Sequence, residues 1–362
     1  MNILYISHLS TNIAAGLNWS VPAGVTAQKK YDNVFWIDIN EVEMSHWLKS
    51  GVFHHASEFG GLRLKNFPRP FNNPDLVVFE GFYAPREALF AYQLRRKRIP
   101  YIIIPRGSLT HQAMHNHAAL KKKVAHFLLF NSYVKHARAI QYLTEAEHKD
   151  AGDKWNDNHY ILSNGFNYPE KYKRTFCKNG IKAIFIGRLD MYHKGLDELL
   201  KAIDKCKDVL RTNQFHLELY GPQKYDYYKI DAYIKEHCIE DIVELKGEIS
   251  GINKEEAILK ADLFVMPSRF EGHPMGLIEA LAYGLPVMVT PGSNMTKEIE
   301  SEQCGWVCSE TNSQKLEIVL ERICKEKDLL PQMSQKARAM AKKYDWDILA
   351  KKFHDIAQDL IK

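Results

Sequence analysis

The sequence predicts an α/β protein of two domains, each a doubly wound parallel sheet, with the two facing a cleft. Three observations predict it. Short apolar runs suited to buried strands alternate with helical segments. The alternation pauses near residue 165 and then restarts. Polar, glycine-containing stretches follow directly after strands. A chain of 362 residues also suits two domains better than one, because single cores stop growing near ~250–300 residues.

The first domain, residues 1–165, opens on the strand NILYIS. Further strands are expected at residues 33–39 (NVFWIDI), 75–79 (DLVVF), 101–104 (YIII) and 139–143 (AIQYL), with helices at 85–96 and 118–135. Asn164-Gly165-Phe166 and Tyr168-Pro169 read as a turn and linker. The second domain, residues 166–344, places strands at 182–187 (KAIFIG), 215–220 (FHLELY), 243–246 (VELK), 263–266 (LFVM) and 286–290 (PVMVT). Helices are expected between them at 195–205, 227–237, 254–260 and 277–283. Residues 346–361 form an amphipathic helix with Ile348, Leu349, Phe353, Ile356, Ala357 and Leu360 on one face. This tail, 345–362, is expected to pack back on the first domain.

Hydrophobic residues make up 45% of the chain and charged residues 26%, which suits a globular protein and argues against disorder. The start MNILYISHLS lacks the basic and apolar regions of a signal peptide, and no run approaches the ~18 apolar residues of a membrane helix. The six cysteines form no CxxC and are expected as reduced thiols, so a cytoplasmic location is expected. The net charge of +5 is uneven: residues 1–165 hold 19 Lys/Arg against 13 Asp/Glu. Such a surplus is either a solvated surface or a patch for an anionic partner.

Ligands of open α/β sheets bind beyond the carboxyl ends of the strands. Three stretches stand there. Gly187-Arg188-Leu189-Asp190-Met191-Tyr192-His193-Lys194-Gly195 follows KAIFIG and sets two cations beside a helix start, an arrangement suited to a diphosphate. Glu271-Gly272-His273-Pro274-Met275-Gly276-Leu277-Ile278-Glu279 follows LFVMPS, with Pro274 and Gly276 making a tight turn into a helix. Its two carboxylates, Glu271 and Glu279, can accept hydrogen bonds from sugar and ribose hydroxyls. The bland readings are a solvated loop and an ordinary acidic helix start. Residues 12–24 follow the first strand, where Ala14, Ala15 and Gly16 let backbone approach a ligand.

Glu271 and Glu279 eight residues apart, preceded by Pro267-Ser268 and followed by Ala280 and Gly284-Leu285-Pro286-Val287, resemble the family 4 glycosyltransferases of the GT-B fold. So do Gly187-Arg188-Leu189 with Lys194-Gly195, Ser163-Asn164-Gly165, and residues 344–346. The resemblance covers the C-terminal half well and the N-terminal half loosely. It implies transfer of a sugar from a nucleotide-sugar donor with retention of configuration and no bound metal or other cofactor, a UDP-sugar being favoured.

On that resemblance, Arg188 and Lys194 hold the diphosphate and neutralise the leaving group. Glu271 binds donor-sugar hydroxyls and Glu279 the ribose. Backbone at Gly272, His273, Pro274, Met275, Gly276 and Leu277 lies along sugar and phosphates. Gly16 touches the diphosphate, and Lys246 and Gly247 lie near the base. Ala15 stands where members often carry a second glycine. Arg106, within Pro105-Arg106-Gly107-Ser108, stands where many carry an acceptor-side histidine; this stretch resembles members that build capsule, O-antigen or other surface polysaccharides. His111 is a second acceptor-side candidate.

Asp345-Trp346-Asp347 imitates a metal-binding DxD but opens the last helix, where Asp is a natural N-cap. His111, His115 and His117 lack the accompanying ligands of a zinc site. There is no Walker A loop and no Gly-x-Ser-x-Gly elbow. Rival classes are a nucleotide-sugar epimerase or phosphorylase on the same fold, or a non-catalytic binding module. A nucleic-acid partner is not expected, because such a groove needs neither the cation pair nor the carboxylate pair. Residues 95–98 (RRKR) and Lys121-Lys122-Lys123, the latter leading into Val124, Phe127, Leu128, Leu129 and Phe130, suit an anionic membrane surface near a lipid-linked glycan acceptor. The alternative is that residues 127–130 pack into the core.

Overall fold

The computed structural model describes residues 1–11, 16–42, 51–110 and 130–362. They form two units. One comprises Met1–Gly165 and Tyr344–Lys362; the other is Phe166–Lys343.

The first unit is built on a seven-stranded parallel sheet: β1 (Asn2–Ser7), β2 (Asn33–Asp38), β3 (Phe53–His55), β4 (Leu76–Glu80), β5 (Tyr101–Ile103), β6 (Ala139–Tyr142) and β7 (His159–Ile161). Its order is β3-β2-β1-β4-β5-β6-β7, so the winding reverses between β1 and β4. β1 and β4 are buried almost throughout, which is why they read as unbroken apolar runs. The helices are α1 (Leu17–Gln28), α2 (Pro85–Arg96), α3 (Asn131–Lys135) and α4 (Glu145–Ala151). Pro85 starts α2 at the position where its missing N–H costs nothing. Most of the helix expected at 118–135 lies outside the described residues. Its end, α3, follows Phe130, which is buried against Phe82 and Tyr133.

The second unit carries a six-stranded parallel sheet of β8 (Ile181–Ile186), β9 (Phe215–Tyr220), β10 (Val243–Gly247), β11 (Leu263–Met266), β12 (Val287–Val289) and β13 (Gly305–Val307). Its order is β10-β9-β8-β11-β12-β13, with the reversal between β8 and β11. The helices are α5 (Leu196–Lys205), α6 (Lys207–Thr212), α7 (Tyr227–Glu236), α8 (Gly251–Lys260), α9 (Met275–Ala282), α10 (Thr296–Glu302), α11 (Ser313–Lys325) and α12 (Leu330–Ala341).

The last helix, α13 (Trp346–Ile361), belongs to the first unit. Asp345 caps it by accepting from the Asp347 amide at 2.8 Å, so Asp345-Trp346-Asp347 is a helix start. Leu349, Phe353 and Ala357 pack into the core beside Val21 and Val25 of α1, while Ile348 is 36% exposed and lies off the apolar face expected for it. Trp346 lies against Gly165, where an added Cβ would fall 2.6 Å from its ring. The six cysteines are free thiols. No helix among the described residues is long and apolar enough to cross a membrane.

Candidate active site

In the second unit the crevice of a doubly wound sheet belongs beyond β8 and β11, where the winding reverses. Two loops meet there. After β8 the chain runs through Gly187 and Arg188 to Lys194 and Gly195 before α5. After β11 it runs from Pro267 to Pro274 before α9.

Gly195 sets how closely they meet. Its φ of +64° is the left-handed region, and a Cβ there would fall 1.9 Å from the Pro267 carbonyl oxygen. Arg269 clamps the same seam. Its amide donates to the His193 carbonyl at 2.9 Å, and its guanidinium makes two bonds to Asp197 at 2.6 and 3.0 Å. The guanidinium also stacks over the Tyr192 ring at 4.7 Å and donates to the Tyr192 carbonyl.

With the loops fixed, Lys194 Nζ donates to Glu271 Oε1 at 2.6 Å. Ser268 Oγ donates to the same oxygen at 2.6 Å. Both bonds fall on Oε1, so Oε2 keeps its capacity to accept a ligand hydroxyl. Asn294 donates to the Glu271 carbonyl and fixes the backbone there. The Lys194 and Glu271 side chains are mostly buried, which strengthens their attraction relative to a surface pair. Glu279, on α9, is paired with Lys254 of α8.

Arg188 is exposed, places its guanidinium 5.7 Å over the Tyr225 ring, and forms no ion pair among the described residues. The start of α9 has no capping side chain and no acidic residue in its first turn, so its positive dipole end is uncompensated. Met275 and Gly276 open that helix; the atoms nearest a Cβ at Gly276 are Phe264 and the Ile186 carbonyl, which sets the helix start beside the end of β8. Gly272 has open space around it. His273 Nδ1 lies 3.3 Å from Met275 Sδ, and Leu277 is buried beneath the turn.

Three neighbouring strands end on glycine contacts. Gly187 N–H donates to the Tyr220 carbonyl, and Gly221 N–H donates to the Gly247 carbonyl. A Cβ at Gly221 would fall 2.3 Å from the Gly187 carbonyl oxygen. Gly247 has φ +79° and open space where a side chain would be. Lys246 is bonded to Glu244, which raises its pKa.

Of the candidates in the second unit, the structure thus brings Lys194 and Glu271 into contact, sets Arg188 and α9 at the ends of the same strands, and gives Glu279 a lysine partner. Arg269, Lys254 and Gly221 belong to this arrangement and were not singled out from the sequence; Ser268, noted there only as preceding the carboxylate pair, bonds Glu271 three residues on. The partners of Arg269, Lys254 and Gly221 lie 25 to 77 residues away, where spacing gives no signal.

In the first unit, Gly16 precedes α1, and a Cβ there meets nothing within 4 Å. Residues 12–15 lie outside the described residues, as do His111, His115, His117 and Lys121-Lys122-Lys123. Arg106 sits in the left-handed region at φ 51°. Its guanidinium bonds Glu80 through Nε at 2.8 Å and Nη2 at 2.7 Å, and Ser20 and Asn164 through Nη1 at 3.0 and 2.9 Å. Three of its five N–H groups are therefore used in hydrogen bonds that brace β4, α1 and the linker start, and Nη2 faces the Glu80 carboxylate as an ion pair.

Among the described residues, two groups have potential metal-ligand atoms within 4.8 Å of one another: His148, Asp153 and His159, and His216, Glu218 and Glu244. Neither includes a residue of the β8/β11 crevice.

Two parallel-sheet Rossmann-like units define the GT-B class of fold. The structure of Anabaena Alr3699/HepE in complex with UDP matches over 99% of this chain and 100% of that one, with a TM-score of 0.76 at 15% identity. Residues 170–340 match the family described as glycosyl transferases group 1, so the second unit is a domain of that family. A putative colanic acid biosynthesis glycosyltransferase, WcaL of Escherichia coli, is 27% identical over 34% of this chain and 31% of its own length. The lipopolysaccharide glucosyltransferase WaaG of E. coli is 30% identical over 49% of this chain and 48% of its own. The chain thus spans between about a quarter and a little over a half of the length of the curated relatives it matches.

Gly195→Ala should destabilise the second unit by at least ~2 kcal/mol, combining left-handed strain with a backbone clash. Thermal unfolding checks this, and a variant that melts like the parent protein contradicts the seam described here.

Proposed function

We propose that the chain is a retaining glycosyltransferase that moves a sugar from a nucleotide-sugar donor, a UDP-sugar being favoured, to a glycan or lipid-linked acceptor in surface-polysaccharide synthesis. The observation that carries the reading is the Lys194–Glu271–Ser268 cluster at the β8/β11 reversal, with Arg188 and the start of α9 beside it. The named activities of the relatives and the UDP bound by the HepE structure support it.

In this reading the diphosphate lies against the glycine-rich ends of β8, β9 and β10 and the start of α9. Arg188 and Lys194 stabilise the charge that develops as the bond from sugar to phosphate breaks. Lys194 is shared between phosphate and Glu271, so the diphosphate draws on a cation that is already positioned. Glu271 Oε2 accepts a donor-sugar hydroxyl, and Glu279 exchanges Lys254 for ribose hydroxyls. Retention follows from attack on the face that the leaving group vacates, with the departing phosphate oxygen taking the acceptor proton. Neither metal nor other cofactor enters the proposal.

Arg188→Ala and Lys194→Ala should each weaken binding of a nucleoside diphosphate by ~1.5–3 kcal/mol, roughly 10- to 150-fold. Glu279→Gln should weaken nucleotide binding while leaving the fold intact. Calorimetric titration against a panel of nucleoside diphosphates measures all three, and unchanged affinity in both cation variants refutes the site.

A membrane-facing acceptor is part of the proposal. Leu89 and Tyr92 of α2 are each 60% exposed, next to the exposed basic run of residues 95–98. Lysines and arginines near an anionic leaflet contribute ~1 kcal/mol each. The protein should co-sediment with anionic vesicles at low salt and lose them as salt rises. Replacing Arg96, Lys97 and Arg98 with Glu should abolish this binding. Equal failure to bind neutral and anionic vesicles refutes the membrane-facing part alone.

A further inference from the structure

The first sheet has its own reversal, between β1 and β4, and the residues beyond those two strands are joined by contacts of a different kind. His8 follows β1 and Gly81 follows β4. The imidazole lies directly on the glycine: a Cβ at Gly81 would fall 1.9 Å from His8 Cε1 and 2.6 Å from Nε2, and Gly81 has φ +147°. No other residue type leaves room for the ring at this place. From beneath, Glu87 of α2 holds Nδ1 with Oε1 at 3.0 Å.

Glu87 is fully buried, and its second oxygen, Oε2, has no hydrogen-bond partner. A buried carboxyl left half satisfied costs stability, and groups kept at such a cost concentrate at working sites. Burial pushes the Glu87 carboxyl up, while the bond from His8 opposes that rise. Burial alone would push His8 down, but its bond to Glu87 prevails and raises it. The other charged groups near the ring have partners of their own, Glu41 accepting from the Ser57 amide. Asp38 accepts from Ser7 Oγ and the Leu9 amide, Glu80 holds Arg106, and Arg86 donates to the Ile39 carbonyl.

Above the ring is an open cavity of about 730 Å³, lined by His8, Asn40, Glu41, Tyr83, Pro85 and Arg86 among others. Nδ1 is engaged with Glu87, and Nε2 has no partner recorded among the described residues. With the proton on Nδ1, Nε2 accepts a hydrogen bond; with the proton shared the other way, Nε2–H donates one. A hydroxyl is the ligand group that satisfies either state, because it both donates and accepts. The polar lining of amide, carboxylate, phenol and guanidinium suits a ring that carries several such groups.

We propose that this cavity is a sugar-binding subsite of the first unit, in which His8 Nε2 takes a pyranose hydroxyl and Glu87 is a positioning residue that fixes the tautomer and orientation of the imidazole. The proposal rests on the glycosyltransferase reading for its assignment to the acceptor side, but not for the binding itself.

The test uses the full chain with histidine labelled for NMR, titrated with methyl α-D-glucopyranoside in the millimolar range expected of a single sugar ring. The His8 ring resonances should shift saturably with sugar. Saturation-transfer contact with the sugar should be lost in His8→Asn and weakened about tenfold in Glu87→Gln. Glu87→Gln should also lower the His8 pKa, since the carboxylate that favours the imidazolium is gone; a merely structural contact would leave the sugar titration unmoved. Gly81→Ala, which displaces the ring without touching its chemistry, should weaken sugar binding in parallel. A sugar that binds His8→Asn as well as the parent, or one that never perturbs His8, overturns the proposal. Nucleoside-diphosphate binding measured on the same samples reports separately on the glycosyltransferase reading: loss of both refutes that reading, whereas retained nucleotide binding without a His8 response refutes this subsite alone.

Discussion

The candidate site depends on one seam, the approach of the β8–α5 loop to the β11–α9 loop. Gly195 lets the two backbones meet at the Pro267 carbonyl, and Arg269 locks them through Asp197 and the carbonyls of Tyr192 and His193. Everything proposed for the donor follows from that contact. Lys194 leaves one loop and Glu271 the other, and their charges meet at 2.6 Å only because the loops are held there. A loose seam would leave a lysine and a glutamate free to solvate separately, and the ordering of their side chains would then fall on ligand binding.

The pairing also explains how a part-buried lysine and a part-buried carboxylate coexist without ligand. Each compensates the other's loss of hydration, and Ser268 adds a third group on the same oxygen. Glu279 repeats the device with Lys254. In both pairs one carboxylate oxygen takes the cation, which leaves the acidic residue able to accept from hydroxyls. The site is thus electrostatically closed when empty and adjustable when a diphosphate competes for Lys194. The first unit solves a related problem differently. Its reversal point holds a histidine on a buried glutamate instead of a lysine on a part-exposed one.

How much was legible in the sequence follows from the range of each interaction. Central strands are largely apolar because both faces are covered, so β1, β4, β8, β9 and β11 stand out. The edge strands β3 and β7 and the edge strand β13 are three residues each, too short to show a period, and they escaped. Arg188, Lys194, Glu271 and Glu279 were visible because each lies in a stretch that runs from a strand end into the next helix. Arg269 was not, because its partners Asp197 and Glu198 are more than seventy residues upstream, and an arginine beside Glu271 reads as ordinary surface charge. His8 was passed over for the same reason: nothing local links it to Gly81 or Glu87, and only the β1–β4 pairing brings them together. Arg106 was legible as a departure in type, but its bonds to Glu80, Ser20 and Asn164 depend on the sheet and the linker meeting.

The central claim is that Lys194 answers to the phosphates and Glu271 to the sugar. The direct measurement is a calorimetric comparison of a nucleoside diphosphate with its sugar ester on the parent protein and on Glu271→Gln. The account predicts that Glu271→Gln loses affinity for the sugar ester by ~1–3 kcal/mol more than for the bare diphosphate, since only the ester carries hydroxyls for Oε2. Equal losses for the two ligands, or none for either, would contradict it.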